Sequence, residues 1–459
     1  MPNDITRRRF LQTSAATGAL VAATAVQGED VKPAPAPAPA PAAADAKAQA
    51  TTAPATQARK LKLGVVGVAD QGWYHIDTIK PLANVNIVAL CDVDVRHLVR
   101  AARALPAAEI FVDFRDMLKM KELDAVLVAT PDHTHAVIAG AALRAGKHVY
   151  CEKPLCHTVK EVRALTDLAQ QTKLVTQMGI QIHGMDNYRR VVELIQANAI
   201  GPVREVHIWN ERTHRAHNPT IITPPATFNY DLWLGPAAPR PLEADFHPYN
   251  WRRRWAFGAA MLGDIGCHLM DVAFWALDLK YPTRVTSEGA PQSDDVCTEW
   301  NIATYEFPSR GEGKPEVTMT WYDPPKIPPM RDQWKLPEAL RNEAVVFIGE
   351  SGMLATNYGE HRLQPEEKFK DFKRPTTRIA STPGHQAEWI NACLANDPTA
   401  TGAPFRYGGP LAETALLGIA AFRAAPGKPL DWDARNMRFT NAPEADKFLG
   451  YQYREGWSI

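Results

Sequence analysis

The sequence predicts an α/β protein in two parts. A doubly wound parallel sheet comes first, and an α+β domain with a large, mostly antiparallel open sheet follows. Three observations predict this. Between Leu61 and Asp94 an apolar run ends in glycines, a helical pattern follows, and a second apolar run ends in an acid. Short apolar runs and helical patterns then alternate as far as Gly179. Beyond that point five runs of strand type come in sequence without intervening helices, which predicts antiparallel pairing.

The first run, Leu61 to Val66, is a strand, and Gly67, Ala69 and Gly72 stand after it at the spacing G-x-G-x-x-G. Backbone N–H groups at a helix N-terminus can hold a pyrophosphate if side chains stay clear of it. Ala69 puts a methyl at the second position of that fingerprint. The second run, Val85 to Cys91, ends at Asp92, twenty residues after Gly72. An acid there accepts hydrogen bonds from both ribose hydroxyls and repels a 2′-phosphate. The unit therefore reads as a Rossmann-type dinucleotide site that favours NAD over NADP.

The alternation continues with a helix over Arg96 to Leu105, a short strand at Phe111-Val112 and a buried strand over Leu123 to Ala129. Thr130-Pro131-Asp132-His133-Thr134-His135 follows, then a helix over Ala136 to Ala145. A strand over Lys147 to Cys151 leads to Glu152-Lys153-Pro154, a helix over Lys160 to Gln171 and a last strand over Lys173 to Gly179. Ligands of such sheets sit at the carboxyl ends of the strands. Thr130, Pro131, His133, His135, Glu152 and Lys153 are all expected there.

In the second part, strands are expected at Val203–Trp209, Arg284–Glu288, Thr298–Phe307, Glu316–Trp321 and Ala344–Ile348, with a buried helix over Leu411 to Arg423. Asp264 and His268 are four apart, so they share a helix face, and Asp271 lies on it too. No further ligands stand at metal spacing, so no metal is expected. An imidazole can take a hydroxyl proton near neutral pH, and a carboxylate one turn away can hold its ring. Gln181 and His183 follow the last nucleotide-domain strand, where either substrate contact or a domain joint fits. Trp251 and Arg252, in Tyr249-Asn250-Trp251-Arg252, suit stacking on and hydrogen bonding to a sugar, though Trp251 suits a core equally. Asn210 to His217 reads as a solvated loop at cleft level, and His385 with Glu388-Trp389 as the start of a helix.

Glu-Lys-Pro after the fifth strand and Thr-Pro-x-x-x-His after the fourth resemble the Gfo/Idh/MocA family of sugar oxidoreductases. The resemblance extends through Tyr230 to Pro236, Gly263 to Asp271, Leu411 to Gly418 and Tyr453 to Trp457. It implies an NAD-dependent dehydrogenase of a sugar, polyol or glycoside, with Lys153, Asp264 and His268 catalytic. Lys153 would hold the reacting hydroxyl and the nicotinamide ribose, His268 would be the base, and Asp264 would orient the substrate and His268. Gln71, Thr130, Pro131, His135, Glu152 and Lys153 would join Gly67, Ala69, Gly72 and Asp92 around the cofactor. Gln181, His183, Trp251 and Arg252 would contact substrate. A homodimer or homotetramer through the open sheet face is implied as well. Two rivals share the fold: a glycosidase that uses NAD transiently, against which Lys153 argues, and a non-catalytic sugar-binding relative, which leaves Lys153, Asp264 and His268 together unexplained.

The 459 residues suit two domains plus extras, and Lys+Arg and Asp+Glu balance at 51 each, so no nucleic-acid or acidic-membrane partner is implied. Twelve Trp and 37 Pro suit a loop-rich carbohydrate cleft. No apolar run after the first thirty residues looks long enough to span a bilayer. The six cysteines form no C-x-x-C pair and read as small buried hydrophobes. Thr6-Arg7-Arg8-Arg9-Phe10-Leu11-Gln12 is a twin-arginine export motif, with residues 1–25 as signal peptide and an extracytoplasmic, periplasmic destination. Residues 26–59 form an Ala/Pro-rich spacer or arm, residues 60–179 the nucleotide domain and residues 180–459 the substrate and oligomerisation domain. A folded dinucleotide enzyme exported to a compartment with little free NAD is expected to load its cofactor first and keep it.

Overall fold

The computed structural model describes residues 59–213 and 219–459. The export motif, most of the Ala/Pro-rich segment and residues 214–217 of the polar loop lie outside the described residues. Strands β1 (Leu61–Val66), β2 (Val85–Cys91), β3 (Glu109–Phe111), β4 (Ala125–Val128), β5 (His148–Glu152) and β6 (Thr176–Gly179) form one sheet, in the order β3-β2-β1-β4-β5-β6. Every neighbouring pair in it is parallel. The crossovers between strands include helices α1 (Gln71–Ile79), α2 (Val95–Ala104), α3 (Asp132–Arg144) and α4 (Val159–Thr172). Helices cover both faces of such a sheet, so β4 and β6 are buried at every position. The reversal of strand order falls between β1 and β4, so the crevice opens at their carboxyl ends.

Local chemistry fixes where these helices begin. Asp94 caps α2 by accepting from the Arg96 N–H at 2.9 Å. Thr158 and Glu161 form a reciprocal capping box at the start of α4. Helix α3 begins at Asp132, four residues before the sequence pattern places it. Pro131 supplies the extended residue before the helix, and Asp132 puts an acid in a first turn whose N–H groups lack intrahelical partners. His133 and His135 are therefore wound into a buried helical turn and do not project from a strand-end loop.

The second sheet has nine strands. Its core is β7 (Val203–Trp209), β8 (Arg284–Gly289), β9 (Asn301–Phe307), β10 (Val317–Tyr322) and β11 (Ala344–Gly349). These strands do not follow one another without a helix, as the sequence suggested. Helix α5 (Ala260–Leu277) intervenes between β7 and β8, and β7 pairs parallel with β10 while the other pairs among these five are antiparallel. Helix α5 is long and apolar enough to cross a membrane, with mean hydropathy 1.3, which also departs from the sequence expectation. It is 83% buried inside the protein, however, and is its central core helix. Helix α6 (Phe405–Ala424) packs against it and starts six residues earlier than expected, running through Pro410. A proline inside a pattern reads as a boundary, and here tertiary packing overrides it. All six cysteines are buried and free. Lys60 to Ile459 form one unit by their contacts, and side chains from the ends of the first sheet and from α5 line a single cleft.

Candidate functional site

A cavity of about 380 Å³ runs along the carboxyl ends of β1, β2, β4 and β5, closed on its other side by α5 and the 247–252 segment. At its floor Gly67 has φ +80°, and a Cβ on Gly72 would stand 1.9 Å from the Gly67 carbonyl oxygen. Only glycine fits either place. The N–H groups of Ala69, Asp70 and Gln71 have no hydrogen-bond partner among the described residues, and all three residues line the cavity. Asp70 holds φ 45°, ψ −112° although it carries a Cβ, strain of the kind that gathers at ligand turns. Unpartnered N–H groups at a helix start, with the glycine contact behind them, fit a pyrophosphate. The methyl of Ala69 leaves the turn intact.

Asp92 ends β2 and faces the same cavity. Its Oδ2 accepts from the Val68 N–H at 3.0 Å and its Oδ1 from the Asp94 N–H at 2.9 Å, while His97 Nδ1 lies 3.5 Å from Oδ1. A carboxylate has about four lone-pair sites. With two engaged by backbone N–H groups and none by the His97 ring, Asp92 keeps two for the ribose hydroxyls the sequence reading assigns to it.

The other half of the cavity holds the chemistry. Lys153 follows β5 and donates to Asp264 Oδ1 at 2.5 Å and to the Asp264 carbonyl at 2.6 Å. Arg252 Nε reaches the same Oδ1 at 3.3 Å, its guanidinium lying 4.2 Å over the Trp251 ring. Burial alone would lower the Lys153 ammonium, but Asp264 outweighs it, so the lysine stays firmly charged. Burial would raise the Asp264 carboxyl, but Lys153 and then Arg252 hold it well below the usual range. His268 lines the cavity one turn along α5, its Nδ1 buried without a hydrogen-bond partner among the described residues. Asp264 therefore orients Lys153 and Arg252 and does not hold the His268 ring, which corrects the sequence reading. Burial, reinforced by Lys153, lowers His268 to about 4, so it is a neutral acceptor at physiological pH.

Glu152 is the hub behind Lys153. Its Oε1 receives His75 Nε2 at 2.7 Å, Gln181 Nε2 at 2.7 Å and Gln71 Nε2 at 3.4 Å. Burial would raise it, but the bond from His75 prevails and holds it below the ordinary value. Gln71 and Gln181 line the cavity beside this carboxylate, and Thr130 and Pro131 line it as well.

Three expected residues do other work. His135 does not line the cavity: it is buried, with Nε2 2.7 Å from the Thr130 carbonyl, and supports the turn. His183 is also buried and bonds Asp271 through Nδ1 at 3.0 Å, stacked on Trp275, so it joins helices and does not face the cleft. Asp271 points away from Asp264 and His268 for the same reason. Trp251 borders the cavity as part of an aromatic cluster with Phe246 and Phe257, its indole N–H on the Pro248 carbonyl. Arg252 is where the sequence placed it.

The sequence reading missed Asp132 and His75, and took Arg212, which lines the cavity, as part of a solvated loop. Asp132 is buried at the start of α3, lines the cavity and has no side-chain hydrogen-bond partner among the described residues. Burial raises its carboxyl to about 7 against the pull of Arg252 and Lys153. Its signal was its place just after Thr130-Pro131. His75 lay hidden inside a helix pattern, and nothing in the sequence ties it to Glu152.

A parallel sheet with open N–H groups at its first helix, an acid ending the second strand and a charged cleft under a second domain define a dinucleotide-dependent oxidoreductase fold. Residues 61–180 match the model of an oxidoreductase family's NAD-binding Rossmann fold, and residues 204–312 that family's C-terminal alpha/beta domain. The chain belongs to this family, Gfo/Idh/MocA, and residues 61–180 are its NAD-binding domain. Among curated relatives, inositol 2-dehydrogenase of Klebsiella pneumoniae is 34% identical over 145 residues, covering 31% of this chain and 43% of that one. The alpha-N-acetylgalactosaminidase of Shewanella oneidensis is 32% identical over 128 residues, 26% of this chain and 28% of that one. The matches span less than half the length of either relative. Among solved structures, the WlbA dehydrogenase of Bordetella pertussis, in complex with NADH and UDP-GlcNAcA, superposes with TM-score 0.58 at 17% identity, over 82% of this chain and 99% of that one. The scyllo-inositol dehydrogenase of Lactobacillus casei does so with TM-score 0.53 at 19% identity, over 81% and 98%. These likenesses show the fold.

Proposed function

We propose that this protein oxidises a secondary hydroxyl of a sugar, polyol or glycoside with tightly held NAD. The observation that carries the reading is the juxtaposition of Lys153, Asp264 and His268 in the NAD-domain cleft. When bound, NAD would supply the acceptor for the hydride that leaves the carbinol carbon. Lys153 donates to the hydroxyl oxygen and stabilises the negative charge that grows on it, as fixed cations do most effectively in a water-poor cleft. Asp264 and Arg252 keep the ammonium in place. His268, neutral and unanchored, takes the hydroxyl proton. The names of the inositol dehydrogenases and of the sugar-nucleotide complex support a polyhydroxylated substrate.

The glycosidase reading has its own support in the alpha-N-acetylgalactosaminidase relative. There oxidation would be transient, with no net gain of reduced cofactor. A panel of sugars, polyols and aryl glycosides separates the two. Dehydrogenation gives a rise in nicotinamide absorbance and a carbonyl product, whereas aglycone release at constant absorbance favours the glycosidase. Export by the twin-arginine route, a periplasmic location and assembly as a homodimer or homotetramer belong to the same proposal. So does cofactor retention: protein purified without added nucleotide should carry near-stoichiometric NAD, and an empty protein that needs free NAD counts against retention.

A further inference from the structure

We propose that His97, backed by His247, sets how strongly Asp92 rejects a 2′-phosphate, so that the choice between NAD and NADP is made by a carboxylate–imidazole group and depends on protonation. This rests on the NAD-binding domain and not on the sugar chemistry. Asp92, His97 and His247 line the same end of the cavity, beyond the pyrophosphate turn. His97 Nδ1 lies 3.5 Å from Asp92 Oδ1. His247 Nε2 lies 3.2 Å from Asp94 Oδ2, its ring stacked on Phe228 with centroids 4.6 Å apart. The two imidazoles are 5.1 Å apart.

The charges facing this pair decide its effect. Asp94 is fully buried and holds Arg96, which reaches both its oxygens, with Nη2 at 2.6 Å. Asp113, which also lines the cavity, is held by Arg115 at 2.5 Å. Those two ion pairs cancel within themselves, which leaves Asp92 against two imidazoles. With His97 neutral the Asp92 charge stands uncompensated, and with His97 protonated it is balanced. Burial disfavours the charged form of His97, but Asp92 outweighs it and raises its pKa. The balanced state is therefore reached as pH falls toward the ordinary histidine range.

A bound cation is the competing use of this group, because donor atoms of Asp94, His97 and His247 lie within 4.8 Å of one another. The Arg96 guanidinium already covers both Asp94 oxygens, and a metal there would face that charge directly. The cluster fits an anion approaching from the cavity better than a cation held inside it. An acid excludes a 2′-phosphate only while the local charge stays negative. One added unit charge a few ångströms away, at the effective dielectric of a partly open cleft, changes that exclusion by about tenfold.

The test is direct binding, without turnover. Dissociation constants of NADH and NADPH are measured by nicotinamide fluorescence on the full-length protein stripped of nucleotide, at about pH 8 and about pH 5.5, for wild type, His97→Gln and His247→Gln. The 2′-phosphate itself titrates near about 6, so every protein shows some pH dependence and the comparison is between slopes. The NADPH-to-NADH ratio of dissociation constants should fall about tenfold further in wild type than in His97→Gln, with the NADH constant little changed. His247→Gln should lie between them, since its ring touches Asp94 and not Asp92. A folded His97→Gln protein with the wild-type slope overturns the proposal. So does a wild-type ratio that is the same at both pH values, whatever the variants do.

Discussion

Asp264→Asn tests the electrostatic design of the cleft. The substitution keeps the shape and one acceptor but removes the charge shared by Lys153 and Arg252, whose polar atoms lie 2.5 Å and 3.3 Å from Oδ1. Removing one partner of a buried pair costs about 3–5 kcal/mol. The low end applies here, because Asp132 faces the same two cations and can ionise more fully once Asp264 is gone. For a cooperative unit of about 400 residues the unfolding entropy is about 0.8 kcal/mol/K, so about 3 kcal/mol lowers Tm by about 4 °C. The sign with pH follows from the depressed Asp264 carboxyl. Its contribution is full above the unfolded value of about 3.9 and is lost as pH falls toward the folded one. Calorimetry of wild type and variant at neutral pH and below about pH 3.9 should show a Tm gap of about 4 °C that narrows at the lower pH. Equal Tm values at neutral pH would refute the claim that Asp264 holds the two cations together.

Lys153→Ala and His268→Ala should each lower turnover by about 10²–10⁴-fold while NAD stays bound, measured by steady-state rates and cofactor content. Wild-type turnover in His268→Ala removes it from the mechanism. Asp132→Asn should erase an inflection near pH 7 in the rate profile, where the buried carboxyl titrates. Because that pKa is raised, the wild-type carboxyl loses stability as pH climbs from its unfolded value through about 7, so the variant should melt higher than wild type in mild alkali and alike in acid. Asp92→Ser should narrow or reverse the preference for NAD over NADP in equilibrium binding, and an unchanged preference refutes its role.

The parts of the fold that were legible are those where local pattern and tertiary packing agree. The β1-α1-β2 unit was readable because its glycines, apolar runs and terminal acid all point one way. The early start of α3 was not, because His133, Thr134 and His135 look like loop chemistry until the helix buries them. The start of α6 was missed because Pro410 usually marks a boundary. Within the site, Lys153, Asp264 and Arg252 were found as separate residues, but their sharing of one carboxylate oxygen spans 111 positions of sequence between Lys153 and Asp264 and cannot be read from spacing. His183 failed for a related reason: its partner Asp271 lies 88 positions away, and that bond turns the ring from the cleft into the core.

The account stands on direct hydride transfer at the Lys153–His268 site, and isotope transfer measures it. A substrate found in the panel is made with deuterium on the carbinol carbon and given to protein loaded with NAD, and the reduced cofactor is examined by mass spectrometry and NMR. The account predicts deuterium at C4 of the nicotinamide, on one face only, in wild type, and a sharp loss of that label in Lys153→Ala. Reduced cofactor that carries solvent hydrogen, or labelling that survives intact in Lys153→Ala, would contradict it.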